Sequence, residues 1–388
     1  MKDLYYLAQG KIFRVTNQQK TQLPSEAVEK YRRNIREINK NKAWKTSGTG
    51  AMFMGVYDEL EADQHTYAQV ESFLVLDAQN LLYAANLENS CGIYLRDLPE
   101  AEAADRFILR RNDTNIFNID YQPTSKKIIA SVSDGGIEKH LALCSSDSTT
   151  YHIITEGESV DIHPHFSRQN PDLVYFSSAG IYYNPHKGTA HFSNYALSTL
   201  DLASGEITEI LSDETYDYLH PKEDPSGRLH CLRIKKGPAK NKGTRIIDIL
   251  LAPIRLLKAI FNWLNFFSQR YSGEPLTKQT SGHNPAKSQA KSAEEIFIAD
   301  NLINAEQALK ENSQQGEKYP GIAPRSWELM ARQADGSFAS VKKGLIDYSF
   351  DNQGQLIYSN GRYIIRRQAD GTEEVLSEAN IAVNLCLR

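Results

Sequence analysis

The chain has 388 residues, of which 40% are hydrophobic and 24% are charged. This composition is ordinary for a soluble globular protein and excludes collagen, a coiled coil and wholesale disorder. With 44 Lys and Arg against 48 Asp and Glu, the net charge is -4, so the molecule as a whole offers no basic field for capturing nucleic acid.

The N-terminus and the cysteines both bear on the cell compartment. The first residues, MKDLYYLAQGKIFRV, have neither the apolar run nor the small-residue cleavage site of a signal peptide, so we expect a cytoplasmic protein. No cysteine lies in a CxxC pair or at a metal-ligand spacing. We therefore expect reduced, packed thiols at Cys91, Cys144, Cys231 and Cys386.

The first segment predicts three strands followed by a helix. Residues 3 to 24 hold three short runs separated by turns, which is typical of strands. Residues 25 to 43 predict an inserted helix with Ser25 as its N-cap. We expect this helix to pack on the rim through a stripe at helical spacing, formed by Val28, Tyr31, Ile35 and Ile38. The SGTG that follows lacks the Lys-Ser/Thr of a phosphate-binding loop.

Strand-like segments then recur with one pattern along the chain. Each has an apolar run, a polar turn, a second run, and a third run that ends in another tight turn. Five such segments begin near Ser72, Asn115, Ser159, Tyr216 and Leu345. The outer turns read DLASGEITEIL, ARQADGSFASV and RRQADGTEEVL, with Gly where a tight hairpin needs a positive φ. Four strands per repeat, with one repeat per radial sheet, predict a β-propeller.

The two ends of the chain predict how the ring closes. Residues 381 to 387 form a lone strand-like run, and residues 3 to 24 give three strands without a first. One sheet built from both ends would close the ring and remove the exposed edges of an open propeller. We therefore predict an all-β fold with helical insertions, in which residues 1 to 388 form a single six-bladed propeller domain. Seven blades result if residues 47 to 57 supply a blade of their own.

The repeat resembles that of the TolB-like, or WD-like, β-propeller proteins. The shared pattern is an aromatic or His-Pro start, a turn like S-P-D-G, a strand, a strand ending in D-L-x-x-G, and a last short strand. It is clearest in HPHFSRQNPDLVYFSSAG with LSTLDLASGEITEIL, and in LHPKEDPSGRLHCLRIKKG, and it extends over roughly residues 70 to 233 and 325 to 388. The long insertion resembles that of a bacterial branch with an inserted amphipathic helix. The resemblance implies a fold and no particular activity.

A second insertion, residues 237 to 320, interrupts the fifth repeat, counting the composite sheet as the first. Residues 235 to 291 hold eleven Lys or Arg against Asp248 and Glu274, a local net charge of +9 (11 minus 2). The rest of the chain sums to -13 (33 minus 46), so the near-neutral total conceals an uneven charge distribution. The basic flank of the segment that follows is formed by Lys235, Lys236, Lys240, Lys242 and Arg245.

Residues 246 to 267 predict a strongly amphipathic helix. At about 100° per residue, the polar side chains from Asp248 to Gln269 fall in one sector roughly 100° wide. Candidate docking residues on the apolar surface are Ile254, Leu257, Ile260, Phe261, Trp263, Leu264 and Phe267. The charged residues within the segment argue against a membrane span. Two interpretations remain open: the helix packs on its own propeller, or it docks on an anionic membrane surface or in a partner's groove.

The rest of the insertion predicts a tether and a second helix. Residues 272 to 293 are rich in Ser, Gly, Pro, Lys and Gln, which is typical of a flexible linker. Residues 293 to 312 predict an acidic amphipathic helix that returns the chain to the rim. The tether would let the docking helix lie against the ring or swing away from it.

The expected ligand site of the propeller is the mouth of its central channel, lined by the starts of the innermost strands. The aligned repeats place seven side chains near that mouth: Asp120, Asp161, His163, His165, Asp217, His220 and Asp347. Carboxylates with imidazoles could hold a metal ion or move protons, and His163, His165 and His220 are the candidate metal ligands. The structural alternative is that these side chains cap loops and hydrogen-bond neighbouring strands.

Together these features favour a non-enzymatic protein-interaction scaffold that docks through a basic amphipathic helix. The sequence has no GxSxG, and it is too short to hold an α/β-hydrolase domain beside the propeller. We therefore predict no catalytic residue, no resident metal and no cofactor. The expected partner is a protein or the anionic inner face of the membrane, and nucleic acid is not expected. The alternative is a metal-dependent hydrolase or lactonase with its site at the channel mouth.

Overall fold

Antiparallel sheets dominate the computed structural model, which describes residues 3–46, 68–88, 90–98, 105–147, 151–184, 189–235, 295–298 and 301–388. Within the described ranges, six sheets each contain a row of four hydrogen-bonded strands, with a fifth strand beside the row in one of them, and each of these sheets is one blade. The six-bladed propeller predicted from the repeats is confirmed.

The first blade joins the two ends of the chain, as predicted. Its strands are β1 (Leu4–Ala8), β2 (Lys11–Thr16), β3 (Gln19–Leu23) and the terminal β27 (Val383–Leu387). β27 pairs antiparallel with β1, with Leu4 opposite Leu387 and Tyr5 opposite Cys386. The innermost strand of the first blade therefore comes from the other end of the chain. After β3 the chain enters α1 (Glu26–Thr46).

The next three blades follow one another along the chain. The second holds β4 (Ala68–Val75), β5 (Asn80–Leu87), β6 (Ser90–Asp97) and β7 (Arg106–Asn112). The third holds β8 (Asn115–Gln122), β9 (Lys127–Ser133), β10 (His140–Ser145) and β11 (Tyr151–Ile153). The fourth holds β12 (Ser159–Phe166), β13 (Leu173–Asn184), with its extra partner β14 (Thr189–Phe192), then β15 (Ala196–Asp201) and β16 (Ile207–Leu211).

The fifth blade is interrupted between its second and third strands. It begins with β17 (Tyr216–Glu223) and β18 (Leu229–Lys235). The hairpin of β19 (Glu295–Ile298) and β20 (Asn301–Asn304) and the helix α2 (Ala305–Gln314) precede β21 (Trp327–Arg332) and β22 (Phe338–Lys343). The sixth blade holds β23 (Asp347–Phe350), β24 (Leu356–Ser359), β25 (Tyr363–Arg367) and β26 (Glu373–Glu378). The chain divides into one compact unit of residues 1–235 and 305–388 and another of residues 236–304.

The apolar core lies between neighbouring blades. One cluster joins Tyr5 and Leu7 of the first blade with Phe73 and Tyr83 of the second. Middle strands such as β5 are buried along almost their whole length, because each blade has a neighbour on both faces. Their sequences therefore read as continuous apolar runs rather than as alternating ones.

Bulges interrupt five of the six innermost strands. The pairing register shifts within β4, β8, β12, β17 and β27, close to the middle of each strand. At three of these bulges the backbone is left-handed, with φ of 53° at His163, 52° at His220 and 51° at Asn384. Asn and His enter this region more readily than most residues. A bulge takes its side chain out of the strand's alternation, and here it directs all three side chains to the central channel.

The inserted helix α1 packs with its first half on β4 and β5. Val28 is 2% exposed, and Tyr31 packs against the same cluster. Ile38, predicted to belong to the buried stripe, is 46% exposed, so the packed part of the helix ends before it. The Glu26 backbone N–H donates to Asp105 Oδ2 at 2.7 Å and anchors the start of the helix.

The second half of the insertion differs from its prediction. The helix expected over residues 293 to 312 begins only at Ala305, because residues 295–298 and 301–304 form the paired strands β19 and β20 instead. The runs EIFI and NLIN are rich in Ile and Phe, which favour strands. The sequence AEQALKENSQ that follows is rich in good helix formers and gives α2.

Several predicted features lie outside the described residues. They are the docking helix over 246 to 267, the tether over 272 to 293, residues 47 to 57, and the basic flank apart from Lys235, which ends β18. Among the residues that are described, no helix is long and apolar enough to cross a membrane.

We expect loss of residues 381–388 to destabilise the propeller strongly. The deletion removes β27, which exposes the edge of β1 and uncovers buried side chains such as Leu4 and Tyr6. The free energy of unfolding, measured by chemical denaturation, should fall by about 3 kcal/mol or more. Arg388→Ala, which changes an exposed side chain of the same segment, is the matched control and should have little effect. An unchanged melting temperature in the deletion would refute the composite blade.

Candidate functional site: the central channel

A cavity of about 670 Å³ lies at one end of the central channel. All six blades line it, through the later residues of their innermost strands and the turns that follow. Sequence reasoning placed the mouth at the starts of these strands, and this placement is wrong for the cavity. The reason is that the bulges turn polar side chains into the channel only from the middle of each strand onward.

One polar residue from each blade contributes to a closed ring around this cavity. The six, called the channel ring below, are Ser72, Asn118, His163, His220, Asp347 and Asn384. Five of them line the cavity, and Asp347 lies buried at 1% exposure.

Two stacked histidines form the first half of the channel ring. Oδ1 of Asn118 accepts the backbone N–H of His163 at 3.2 Å. The imidazoles of His163 and His220 stack, with centroids 3.6 Å apart and planes at 29°. Nδ1 of His220 lies 3.9 Å from Oδ1 of Asp347. The third, fourth, fifth and sixth blades are thereby connected in turn.

Hydrogen bonds complete the second half of the channel ring. Oδ2 of Asp347 accepts the backbone N–H of Asn384 at 2.5 Å, and Nδ2 of Asn384 donates to Oγ of Ser72 at 3.0 Å. The same Ser72 oxygen accepts the backbone N–H of Ile119 at 3.3 Å, next to Asn118. The ring therefore closes: hydrogen bonds join four pairs of neighbouring blades, the stacked imidazoles join the fourth to the fifth, and His220 approaches Asp347 between the fifth and the sixth.

Burial keeps the two stacked histidines uncharged at neutral pH. Loss of hydration lowers the pKa of His220 to about 3, and the positive charge of Lys222 acts in the same direction. Loss of hydration also lowers the pKa of His163 well below its usual range, with His220 as the next cause. Two neutral imidazoles can stack at this distance, whereas two charged ones would repel each other. Nδ1 of His163 is buried and has no hydrogen-bond partner among the described residues.

A second polar chain crosses three blades beside the ring. Oδ2 of Asp120 lies 3.0 Å from Nδ1 of His165, and Nε2 of His165 accepts the backbone N–H of Glu223 at 3.0 Å. Because Nε2 accepts, Nδ1 carries the hydrogen that Asp120 accepts. The Glu223 carboxylate in turn accepts the Ser167 hydroxyl at 3.0 Å and the Arg168 backbone N–H at 2.6 Å. His165 is therefore held in place through both of its ring nitrogens.

Lys222 ties the fifth blade to the sixth. Its Nζ lies 3.0 Å from Oδ1 of Asp347 and donates to the carbonyl oxygen of Tyr348 at 2.6 Å. The Tyr348 hydroxyl donates to the carbonyl oxygen of His220 at 2.7 Å. The ammonium group in the cavity wall is thus paired with a buried carboxylate.

Two of the seven predicted mouth residues lie away from the cavity. Asp161 and Asp217 are buried in the first halves of β12 and β17. Asp161 accepts the Ser178 hydroxyl at 2.6 Å, and Asp217 accepts the backbone N–H of Tyr195 at 2.9 Å. Both therefore fit the structural alternative. The structure brings four of the other five together in the cavity wall, namely Asp120, His163, His165 and His220, and the fifth, Asp347, lies buried beside His220.

The three candidate metal ligands do not converge on one point. His163 and His220 stack face to face, while His165 is turned to Asp120. Metal ions bind in the plane of an imidazole ring at a free nitrogen, and both nitrogens of His165 are already engaged. Within the described ranges, no group of three or more His, Cys, Asp or Glu side chains could hold a metal ion.

Sequence reasoning missed several residues of this site. They are Ser72, Asn118, Lys222, Glu223 and Asn384. A signal was available at one strand position. Ser72, His163, His220, Asp347 and Asn384 each lie four residues before the first residue after their innermost strand, and Asn118 lies five before it. Aligning the repeats at that position, rather than searching for titratable residues, would have found most of the channel ring.

We expect the propeller to lose stability as the pH falls from about 7 to 4. The folded state keeps His163 and His220 neutral, whereas the unfolded chain protonates them below about pH 6.5, so protons favour unfolding. Each imidazole lowers the free energy of unfolding by up to about 1.4 kcal/mol for each pH unit of acidification. Denaturation at several pH values should show that the unfolding free energy depends less steeply on pH in the double variant His163→Asn, His220→Asn than in wild type. Asparagine is chosen because it occupies the equivalent position in the third blade, at Asn118.

The control for this measurement is His152→Asn, which changes an exposed imidazole in β11. It should leave the pH dependence of the unfolding free energy unchanged. An unaltered slope in the double variant would show that the stacked pair is not the origin of the acid sensitivity.

Comparisons with known proteins bear on the fold. No protein-family model matches the sequence, and no curated protein matches it. Solved structures do match: a putative TolB from Agrobacterium tumefaciens is 12% identical, with 80% of this chain and 81% of that chain covered and a TM-score of 0.41. TolB from Acinetobacter baumannii is 14% identical, with 99% and 81% covered and a TM-score of 0.34.

A third similar structure is a putative 6-phosphogluconolactonase from Bacteroides uniformis. It is 9% identical, with 100% of this chain and 99% of that chain covered and a TM-score of 0.41. Likenesses at these identities concern the fold alone. The chain's own strand order establishes six blades. Two TolB proteins are among the solved structures to which the chain is similar.

Proposed function

We propose that this chain is a non-enzymatic scaffold that binds a segment of a partner protein in its channel cavity. The observation that carries the proposal is the channel ring, because polar groups of the cavity wall are engaged with one another between blades. Such a wall is rigid before a ligand arrives, which lowers the entropic cost of binding.

The same contacts argue against acid–base chemistry in the cavity. A general base must offer a lone pair to its substrate, yet Nε2 of His165 already accepts the Glu223 N–H. Oδ2 of Asp120 accepts the Phe166 N–H at 2.7 Å, and the Glu223 carboxylate accepts the Arg168 N–H. Recruiting His165 as a base would break its contact with Glu223 on the next blade, and the two carboxylates are held in position by bonds of the same kind.

The cavity suits a short peptide segment of mixed character. Its volume of about 670 Å³ lies within the usual range of ligand sites. Nδ2 of Asn118 and Oδ1 of Asn384, whose other amide atoms are engaged in the channel ring, offer a neutral donor and a neutral acceptor that match the amides of a peptide backbone. Aromatic side chains line the same cavity: Phe73, Tyr121, Phe166 and Phe350.

A photo-crosslinking residue in the cavity tests this proposal. We expect p-benzoylphenylalanine in place of Phe350 to form protein adducts of discrete mass in an extract of the native cells. The same replacement at Phe338, on the outermost strand β22, is the matched control and should not form them. Thr124→Trp, at an exposed turn that lines the cavity, should suppress the adducts without lowering the melting temperature. Absence of adducts at Phe350, or the same adducts at Phe338, would contradict the proposal.

The alternative, a metal-dependent hydrolase or lactonase at the channel mouth, has weaker support. Its three candidate ligands are stacked or turned to a carboxylate. Near-stoichiometric zinc or manganese that binds the protein and is lost in His220→Asn would favour this alternative over the scaffold.

Recruitment through the basic amphipathic segment is a further part of the proposal and rests on the sequence. Its apolar surface and basic flank suit an anionic membrane surface, which would place the protein at the inner face of the membrane. We expect wild type to sediment with anionic vesicles and Ile260→Glu with Leu264→Glu to stay free, because both charges fall on one apolar stripe. Asn262→Glu with Asn265→Glu adds the same charge in the polar sector and should retain most of the binding.

Salt distinguishes the two modes of docking. Membrane binding that is aided by the basic flank must weaken as ionic strength rises, because salt screens the charges. Binding of the segment in an apolar groove of a partner should be insensitive to salt. Should the Ile260→Glu, Leu264→Glu protein unfold, the segment packs on its own propeller. Should wild type also stay free, recruitment to membranes is refuted.

A further inference from the structure

Among the strands that the structure describes, none covers the outer edge of the hairpin formed by β13 and β14. β14 pairs with the end of β13, with Ile181 opposite Phe192 and Tyr183 opposite Ala190. Within the described part of the chain, β14 has no second strand neighbour. The aromatic side chains of this hairpin are exposed, with Tyr182 at 63%, Tyr183 at 50% and Phe192 at 45%.

The outermost strands of the blades are protected in a way that β14 is not. Charged side chains on an edge strand prevent pairing with another chain. Five of the six outermost strands carry them, as shown by Lys20 in β3, Arg110 in β7, Glu209 in β16, Lys342 in β22 and Glu374 in β26. The sixth, β11, has only three residues. β14 is a four-residue strand, TAHF, without Asp, Glu, Lys or Arg.

We propose that β14 pairs antiparallel with β14 of a second copy of this chain, about a two-fold axis. An axis that relates two antiparallel strands of one sheet is perpendicular to that sheet, so a side chain and its counterpart lie on the same face. Each residue then faces its own counterpart or a residue an even number of positions away. A charged side chain on such a strand would lie close to the same charged side chain of the second copy, and this repulsion destabilises the pair.

The sequence of β14 avoids this repulsion. In one register Ala190 faces its own counterpart, and in the next it faces Phe192 of the second copy. Both registers bring together side chains without a formal charge. The edge strands of the blades that carry Lys, Arg or Glu would place like charges together in the same arrangement. The self-pairing edge is therefore β14 rather than the rim of a blade.

The same contact would cover the exposed aromatic side chains. Tyr182 and Tyr183 lie on β13, directly beside β14. The Tyr183 hydroxyl donates to Oε1 of Glu138 at 3.2 Å, which holds one of the rings in place before association. Burial of such rings adds stability to the main-chain hydrogen bonds of a paired edge. No residue of this hairpin lines the channel cavity, so the second copy would leave the cavity open.

Charge at position 190 tests the pairing. Sedimentation velocity of the full chain should show a concentration-dependent dimer for wild type. Ala190→Lys and Ala190→Glu should each weaken the dimer by about tenfold or more, because position 190 lies opposite or diagonal to its counterpart on one face. An equimolar mixture of the two variants should restore the dimer, which also shows that both are folded.

The matched control is Thr208→Lys, which adds the same charge at an exposed position of the edge strand β16. It should dimerise as wild type does. Wild type that stays monomeric at about 100 μM, Ala190 variants that dimerise as well as wild type, or an equimolar mixture that stays monomeric would each overturn the proposal.

Discussion

Polar contacts around the channel fix the level at which six separate sheets meet. Among the described residues, neighbouring blades share no ladder of strand hydrogen bonds, apart from one isolated bridge between Lys139 and Val160. Apolar packing between blades is non-directional and tolerates sliding. Hydrogen bonds do not tolerate such sliding, because they form only within narrow distance limits. The channel ring supplies such bonds at four of the six junctions between blades, and Asn384 makes two of them because β27 completes the first blade. His165 and Lys222 supply hydrogen bonds at the other two junctions.

The bulges are what make this arrangement possible. A regular strand would send alternate side chains into the flanking blades, but a left-handed residue in mid-strand sends one to the channel. This arrangement buries His163 and His220, which lose their hydration and remain neutral. Their stacked rings fill the gap between two blades. Three of the seven residues that the sequence placed at the channel mouth, His163, His220 and Asp347, are thus members of the channel ring.

Two kinds of surface are then left for interactions, and they differ in shape. The channel cavity is concave, rigid and lined by both polar and aromatic groups, which suits a short inserted segment. β14 offers a flat edge whose main-chain groups suit another strand. The propeller hides its inner edges by closure and five of its six outermost strands by charge, whereas β14 extends beyond the blade and has neither protection.

The sequence by itself determined the local structure and the closure. Apolar runs and turn glycines such as Gly205, Gly336 and Gly371, all with positive φ, are local signals that identify strands and count blades. The unpaired runs at the two ends predicted the composite first blade for the same reason. Only the tertiary structure decided which side chains meet, because His163 and His220 are 57 residues apart and their contact depends on bulges that no local pattern reveals. It also decided that the cavity lies at the ends of the innermost strands rather than at their starts, since the direction of each side chain follows from the register of its blade.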